Sequence, residues 1–235
     1  MDHHPSVSCV VPVFNGARFL AEALESILGQ THPPFETIVV DDGSTDATPD
    51  VVRSYGDRVV YIRQENRGPA AARNTGLKRS SGEFLSFLDA DDLWHQEKLS
   101  RQLARFEARP ELELSMAWQR PFWVDEMKHE QERLEQEDHP FVKSHAGYVC
   151  QTMLMPRATF DRVGPFDERL RVGEDTDWIL RAKRIGIVRE ISTDVLLFRR
   201  MHQNNLSYTR YGGSRVDDQV NLVFAQMKRN RSKAG

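Results

Sequence analysis

Cysteine, net charge and long apolar runs are all scarce in this chain of 235 residues. Cys9 and Cys150 are its two cysteines, too few for a disulfide framework, and Cys9 lies inside an apolar pattern. We therefore expect both thiols to be reduced and structural, as in a cytoplasmic protein. No segment approaches the roughly 20 apolar residues of a membrane-spanning helix, and the polar N-terminus predicts no signal peptide. Peripheral contact with a membrane is left open.

The formal net charge of −3 excludes the strong basic excess expected of a nucleic-acid-binding protein. Two glycine-rich nucleotide motifs are also missing. The dehydrogenase fingerprint Gly-x-Gly-x-x-Gly does not follow the first predicted strand, and the chain has no Gly-Lys-Ser phosphate loop. A nucleotide bound here would not lie in a glycine-rich cradle, which leaves a metal ion to neutralise its phosphates.

The first 118 residues contain an alternation of strand and helix patterns. Apolar runs predict strands at 7–13, 37–40, 59–62, 84–88 and 112–118. Apolar residues at helical spacing predict helices between them, including 17–28 and 69–78. Alternation at this spacing implies right-handed crossovers and an open, mainly parallel sheet flanked by helices, which is a Rossmann-like α/β fold.

Composition changes near Val124. The stretch 125–138 has seven acidic and two basic residues and few apolar ones. A solvated helix and an irregular loop both fit this composition, and in either form the stretch should be exposed.

The run from Phe84 to Asp92 is the most informative in the chain. An apolar strand pattern ends there in three carboxylates within four residues, Asp89, Asp91 and Asp92. Carboxylates at the end of a buried strand are costly unless they are compensated, and a divalent cation bound through oxygen atoms would compensate them. The alternative is that Asp91 or Asp92 caps a helix beginning near Trp94. The run alone does not decide between the two.

Further motifs follow other predicted strands, at the sheet edge where open parallel sheets bind ligands. Together with 89–92, the motifs are Pro12-Val-Phe-Asn15, Asp41-Asp-Gly-Ser-Thr-Asp46, Asn66-Arg-Gly-Pro-Ala-Ala-Ala-Arg-Asn74, Val163-Gly-Pro-Phe-Asp-Glu168, Gly173-Glu-Asp-Thr-Asp-Trp178 and Arg199-Arg-Met-His202. In these motifs and their order, over about residues 6–210, the chain resembles the family 2 glycosyltransferases. The resemblance implies a GT-A fold and an inverting transfer from a nucleotide-diphosphate sugar, with UDP as the expected nucleotide.

The resemblance also implies a nucleotide site. Asp42, with Asp41 beside it, would accept the imide N–H of a pyrimidine base, although Asp-Gly is also a common turn. Arg73 would contact the base or a phosphate, with an exposed helix position as the alternative. Phe14 would line the base and ribose pocket, with the core as its alternative. The implied nucleotide-binding residues are Pro12, Phe14, Asn15, Asp41, Asp42, Arg73 and Asp89.

Mn²⁺ or Mg²⁺ is the cofactor that the resemblance implies, since both ions accept carboxylate and phosphate oxygens. Asp91 would be its first ligand and Asp89 its second, unless Asp89 faces the ribose instead. His202 matches the family's late histidine and would reach the metal or the diphosphate, although a single histidine is more often structural.

Asp175 matches the family's general base, which takes the proton of the acceptor hydroxyl as that oxygen attacks the anomeric carbon. The pair Glu174-Asp175 also fits the first turn of a helix, which the helix dipole favours, and the two interpretations are compatible. Glu174, Asp177 and Trp178 are candidates for the acceptor or sugar pocket, with packing as the alternative for Trp178.

The motifs divide the chain into four segments. These are a nucleotide-sugar-binding half (1–118), a variable and exposed segment (119–149), an acceptor-side and catalytic half (150–210) and a C-terminal tail (211–235). The Gln-x-x-Arg-Trp motif of polymerising family members is absent, which predicts single transfer rather than processive synthesis. The sequence does not identify the acceptor, which is a saccharide, a lipid-linked saccharide, a peptide or a small molecule. It does not identify the donor sugar or the oligomeric state either.

Two other functions compete with this one. A sugar nucleotidyltransferase would share the sheet and the metal, but it would need a basic, glycine-rich loop after the first strand, which 14–18 matches poorly. A binding module without activity would keep the fold, but the intact Asp89, Asp91 and Asp175 argue against it.

Overall fold

Strands and helices alternate through most of the computed structural model, which describes residues 4–205. The strands are β1 (Val7–Val13), β2 (Glu36–Asp41), β3 (Val60–Arg63), β4 (Phe84–Phe87), β5 (Leu93–Trp94), β6 (Leu114–Trp123), β7 (His145–Ala146), β8 (Leu154–Pro156) and β9 (Arg189–Met201). The helices are α1 (Leu20–Leu28), α2 (Thr48–Arg53), α3 (Pro69–Arg79), α4 (Lys98–Ala108), α5 (Lys128–Gln136), α6 (Arg157–Val163) and α7 (Glu174–Arg184).

The nine strands of this part of the chain form one sheet, in the order β3-β2-β1-β4-β8-β6-β9-β5, with β7 paired to β6. In the part of the sheet with the order β3-β2-β1-β4, each pair of neighbouring strands is parallel. Strand β8 is antiparallel to both β4 and β6, and β9 runs parallel to β6. The predicted α/β fold with a mostly parallel sheet is confirmed. The antiparallel β8 escaped prediction because three residues are too few to show a strand pattern.

The sheet is buried on both faces, which explains the continuous apolar run of β1. Its alternate residues face opposite sides. Val10 joins the cluster that includes Ile38 and Ala70 and Ala72 of α3, whereas Val11 joins the cluster that includes Leu24 of α1. Helix α3 packs closely on the sheet, since a Cβ added at Gly76 would lie 2.4 Å from Val10 Cγ1.

The segment after the acidic run does not begin a helix at once. Residues Leu93–Trp94 form β5, which pairs antiparallel with β9, and α4 begins only at Lys98. The interpretation of Asp91 or Asp92 as the cap of a helix starting near Trp94 is therefore wrong.

The 119–149 segment is more regular than its composition indicated. Strand β6 continues to Trp123 because β9 pairs with it along most of its length. Helix α5 buries none of its residues, so the expected exposure takes the form of a solvated helix. Between residues 4 and 205, no helix combines the length and the apolar character needed to cross a membrane.

Candidate active site

The loops after β1 and β2 are joined to each other at the carboxyl ends of these strands. Asn15, with a φ of 51°, accepts at Oδ1 from the Thr45 N–H (2.8 Å) and donates its own N–H to Ser44 Oγ (2.9 Å). Asn15 is thus a structural link at the rim of the site. Pro12 is buried in β1, whereas Phe14 is 52% exposed. Phe14 is therefore not a core residue and is available to line a pocket.

Asp41 and Asp42 have different surroundings. Asp41 is fully buried, and its oxygens accept from the Ser44 N–H (2.7 Å) and the Tyr61 hydroxyl (2.7 Å). The structure therefore uses Asp41 to shape the turn and does not bring it into the site, because no surface of this side chain is left for a ligand.

Asp42 fixes the loop that leads into α3. Its oxygens accept from Gln64 Nε2 (2.7 Å), the Arg67 N–H (2.9 Å) and the Gly68 N–H (2.7 Å). Gly68 can make this contact because its φ of 92° is one that glycine adopts readily. Asp42 is itself only 3% exposed, so its direct role in the structure is to hold this loop, and its contact with a base stays a prediction.

The three carboxylates after β4 form a cluster. Asp89, Asp91 and Asp92 each offer an oxygen, and these oxygens all lie within 4.8 Å of one another. Burial, followed by the charges of Asp91 and Asp89, raises the pKa of Asp92 well above its ordinary value. Like charges at this spacing are costly without a cation, and the three oxygens lie close enough together to hold a metal ion.

His202 and Asn205 bring the end of β9 to this cluster. Asp91 Oδ2 lies 2.9 Å from His202 Nε2 and accepts from Asn205 Nδ2 at 3.2 Å. His202 is almost fully buried, with its ring 4.9 Å from that of Phe19. The predicted neighbourhood of Asp89, Asp91 and His202 is thus present in the structure.

Arg200 holds the backbone of the cluster. Its N–H donates to Asp92 Oδ1 (2.9 Å) and its Nε to the Asp91 carbonyl (2.9 Å). The guanidinium lies between the rings of Phe19 and Phe122, at 4.5 and 4.7 Å from their centres. Stacking on both sides fixes this arginine, and with it the position of the acidic run.

The surroundings of Arg73 differ from both sequence-based expectations, a ligand contact and an exposed helix position. Its side chain is 3% exposed and bridges Asp89 Oδ1 and Glu174 Oε1, both at 2.5 Å. The prediction of a contact with base or phosphate is therefore corrected, because both ends of the guanidinium are occupied by protein carboxylates.

Asp175 lies in the first turn of α7, after a left-handed Gly173. It is half-buried, and Oδ1 accepts from the Thr176 N–H (2.7 Å). Burial raises the pKa of Asp175 above its usual value, although Arg73 opposes that shift. A carboxylate of raised pKa is a stronger base than an ordinary aspartate and suits proton abstraction.

The three other pocket candidates on this helix have partners within the protein. Trp178 is fully buried, donates Nε1–H to the Gly164 carbonyl (2.9 Å) and stacks on Phe160 at 5.9 Å. The proposal that Trp178 lines a pocket is therefore wrong. Asp177 pairs with Arg181 one turn along the helix (2.8 Å), and Glu174 faces Arg73 rather than an open pocket.

Gln151, Arg200 and Asn205 belong to the site but were not among the predicted residues. Gln151 lies in the 3₁₀ turn Cys150–Thr152, and its Nε2 donates to Asp89 Oδ2. No motif marks this turn. Arg200 lies inside the Arg199–His202 motif, whose spacing alone does not tell which of its two arginines faces the carboxylates, and Asn205 lies three residues beyond the motif.

Comparison with known proteins identifies the family of the chain. A family model described as "Glycosyl transferase family 2" matches residues 8–163. An uncharacterized glycosyltransferase of Rickettsia typhi is 32% identical over 221 residues, covering 88% of this chain and 67% of that protein.

Two solved structures are similar in fold. Residues 1–349 of Staphylococcus aureus TarS, in complex with UDP-GlcNAc, have a TM-score of 0.67 at 23% identity, over 85% of this chain and 60% of that fragment. The mannosyltransferase PcManGT of Pyrobaculum calidifontis, in complex with GDP-Man and Mn²⁺, has a TM-score of 0.71 at 23% identity, over 97% of this chain and 65% of that one. This chain spans about two thirds or less of the length of each of the three proteins.

Proposed function

The chain belongs to glycosyl transferase family 2, and we propose that it is an inverting, metal-dependent glycosyltransferase that uses a nucleotide-diphosphate sugar. The observation that carries the proposal is the cluster of Asp89, Asp91 and Asp92 at the end of β4, linked through Arg73 to the start of the helix that bears Asp175. A site for a diphosphate and a candidate base thus belong to one connected arrangement.

The acidic cluster fits Mn²⁺ or Mg²⁺. Its three carboxylates offer hard oxygen donors, and the imidazole of His202 lies beside them, a set that both ions accept. Asp91 is the proposed first ligand, because it is 30% exposed and its position is fixed by His202 and Asn205. When bound, the ion would neutralise charge on the departing diphosphate.

We assign the nucleotide to the pocket beside Asp42, with the exposed ring of Phe14 and the backbone near Pro12 as walls. UDP is the proposed nucleotide, supported by the UDP-GlcNAc complex of TarS, and GDP is the alternative to test, since PcManGT binds GDP-Man.

Residues 1–118 would hold the donor, and 150–210 would supply the base and the acceptor side. Residues 206–235, including the proposed tail, lie outside the described part of the chain. The two buried, free cysteines support the proposed cytoplasmic compartment.

Asp175 is the proposed general base. It would take the proton of the acceptor hydroxyl while the acceptor oxygen forms its bond to the anomeric carbon. The bond from that carbon to the diphosphate oxygen breaks on the opposite face, and the nucleoside diphosphate leaves with the electron pair. Attack opposite the leaving group inverts the anomeric configuration.

The test is nucleotide release from a panel of UDP-sugars and GDP-mannose, with water as the acceptor and Mn²⁺ present. Asp175→Asn should lower turnover by a factor of about 10² to 10⁴, the usual contribution of general acid–base catalysis, and should leave UDP affinity nearly unchanged. Asp177→Asn, on the same helix turn, is the matched control and should keep parental turnover.

The configuration of the released sugar, read by NMR before mutarotation, should be inverted. Retained configuration, or an Asp175→Asn variant as active as the parent, would contradict the assignment. UDP binding without any turnover would instead support the alternative of a binding module without activity.

A further inference from the structure

Arg73 is a buried cation between two carboxylates of different segments. It lies on α3, its Nη2 donates to Asp89 Oδ1 after β4, and its Nη1 donates to Glu174 Oε1 at the first residue of α7. The Arg73 and Glu174 side chains are 3% and 8% exposed. One side chain thus connects the strand end that carries the acidic cluster to the helix that carries Asp175.

The bridge depends on the shape of the guanidinium. Its planar fork presents donors in two fixed directions, which an ammonium cannot do. Arginine stays protonated in folded proteins, and both partners of the Arg73 guanidinium are carboxylates. The group therefore stays charged inside the protein, and the two contacts are charge-assisted.

Both ends of the bridge are themselves immobilised. The second oxygen of Asp89 accepts from Gln151 Nε2, and the Gln151 carbonyl accepts from Trp94 Nε1 (3.0 Å). At the other end, Glu174 precedes Asp175 in the same helical turn, so a fixed Glu174 fixes the backbone of Asp175. The arrangement has little freedom between Asp89 and Asp175.

We propose that Arg73 is a positioning residue that sets the distance between the donor-side carboxylate Asp89 and the base Asp175, and that it does not contact the nucleotide. The inference rests on the proposed function, since it assigns Asp175 as base. It adds that the spacing of donor site and base is held by one buried side chain acting through Glu174.

Arg73→Lys tests the proposal because it keeps the charge but removes the two-way fork. With the UDP-sugar that the parent hydrolyses fastest, kcat should fall between 10- and 100-fold. The Kd of UDP with Mn²⁺ should change less than threefold. The control is Arg79→Lys, an exposed arginine at the end of the same helix, which should behave as the parent. A Kd that rises as much as kcat falls would make Arg73 a nucleotide contact and overturn the proposal.

A double-mutant cycle tests the path through Glu174. Arg73→Lys combined with Glu174→Gln should lower kcat by much less than the product of the two single effects, because both changes break one bridge. Multiplicative effects would contradict the proposal.

Melting curves identify any variant that fails to fold. If Arg73→Lys fails to fold, the double variant Arg73→Met/Glu174→Met replaces it, because that variant removes the buried cation together with its buried anion. The double variant should bind UDP as the parent does and lose turnover. Parental turnover in the double variant would overturn the proposal. Absence of UDP binding and turnover in the parent itself would instead reject the proposed function, so the two failures are distinguishable.

Discussion

Lys98 is a fully buried lysine that takes no part in the candidate active site. Its Nζ donates to Ser86 Oγ (2.9 Å) and to the Met153 carbonyl (3.3 Å), and it lies 4.1 Å from the centre of a Trp94 ring. Burial lowers the pKa of Lys98 to about 7. In the unfolded chain the ordinary lysine pKa is about 10.4, so the two states hold different numbers of protons above neutral pH.

The free energy of unfolding should therefore rise with pH above 7, because the unfolded state binds more protons there. Between pH 7 and 8.5 the Lys98 contribution amounts to about 1.5 kcal/mol. From about pH 8 upward the two buried thiols oppose the rise, because an unfolded cysteine titrates near pH 8.5 whereas burial raises the pKa of Cys9 to about 12 and that of Cys150 well above its usual value. Urea unfolding across this pH range measures the slope, which Lys98→Met should flatten and the exposed control Lys78→Met should keep. Equal slopes in all three proteins would contradict the account.

The surroundings of a single residue were predictable where a motif fixes one geometry. They were not predictable where the burial of the side chain determines its contacts. Asp89, Asp91 and His202 lie together, as their motifs indicated. Asp41 and Asp42 are adjacent in the sequence, and both are buried in the structure, at 0% and 3% exposure, which their motif does not state. Trp178 and Arg73 are similar cases, because a motif does not state which face of a helix meets the core.

At the scale of elements, one glycine lets the loop between β3 and α3 close on Asp42. The Gly68 N–H donates to Asp42 Oδ2 (2.7 Å) with a φ of 92°. A Cβ added there would lie 2.8 Å from Arg171 Nη1, at the end of a flexible side chain that is able to shift. The main penalty of a substitution is therefore backbone strain, on the order of 1–3 kcal/mol.

Gly68→Ala should weaken UDP binding at least tenfold, because it displaces the loop that orients Asp42. Gly186→Ala is the matched control, since Gly186 also has a positive φ of 77° but has nothing within 4 Å of the added Cβ. The control should lose comparable stability in thermal unfolding and keep parental UDP affinity in calorimetry. If Gly68→Ala bound UDP as tightly as the control does, this loop would not belong to the nucleotide pocket.

Elements were predictable when they were long. Strands β1 to β4 and helix α3 appear within a few residues of their predicted bounds, because apolar runs and periodicity span them. Strands β5 and β8 have two and three residues, and partners distant in the sequence alone define them. Their pairing with β9, β4 and β6 is what brings Gln151 and the end of β9 to the acidic cluster.

At the scale of the whole molecule, one sheet joins the two proposed halves. Strand β8 lies between β4 and β6, and β9 pairs with β6 and with β5. The acidic cluster consequently receives groups from both halves, namely Asp89 and Asp91 from the first and His202 and Asn205 from the second. The halves of the sequence therefore do not form separate structural units within residues 4–205.

The most direct test of the account is UDP affinity measured by calorimetry with Mn²⁺ and with excess chelator. We expect the parent to bind at least tenfold more tightly with Mn²⁺, a difference of about 1.4 kcal/mol, and Asp91→Asn to lose that difference while remaining folded. Equal affinity of the parent in both conditions would contradict a metal-dependent donor site at Asp89, Asp91 and Asp92.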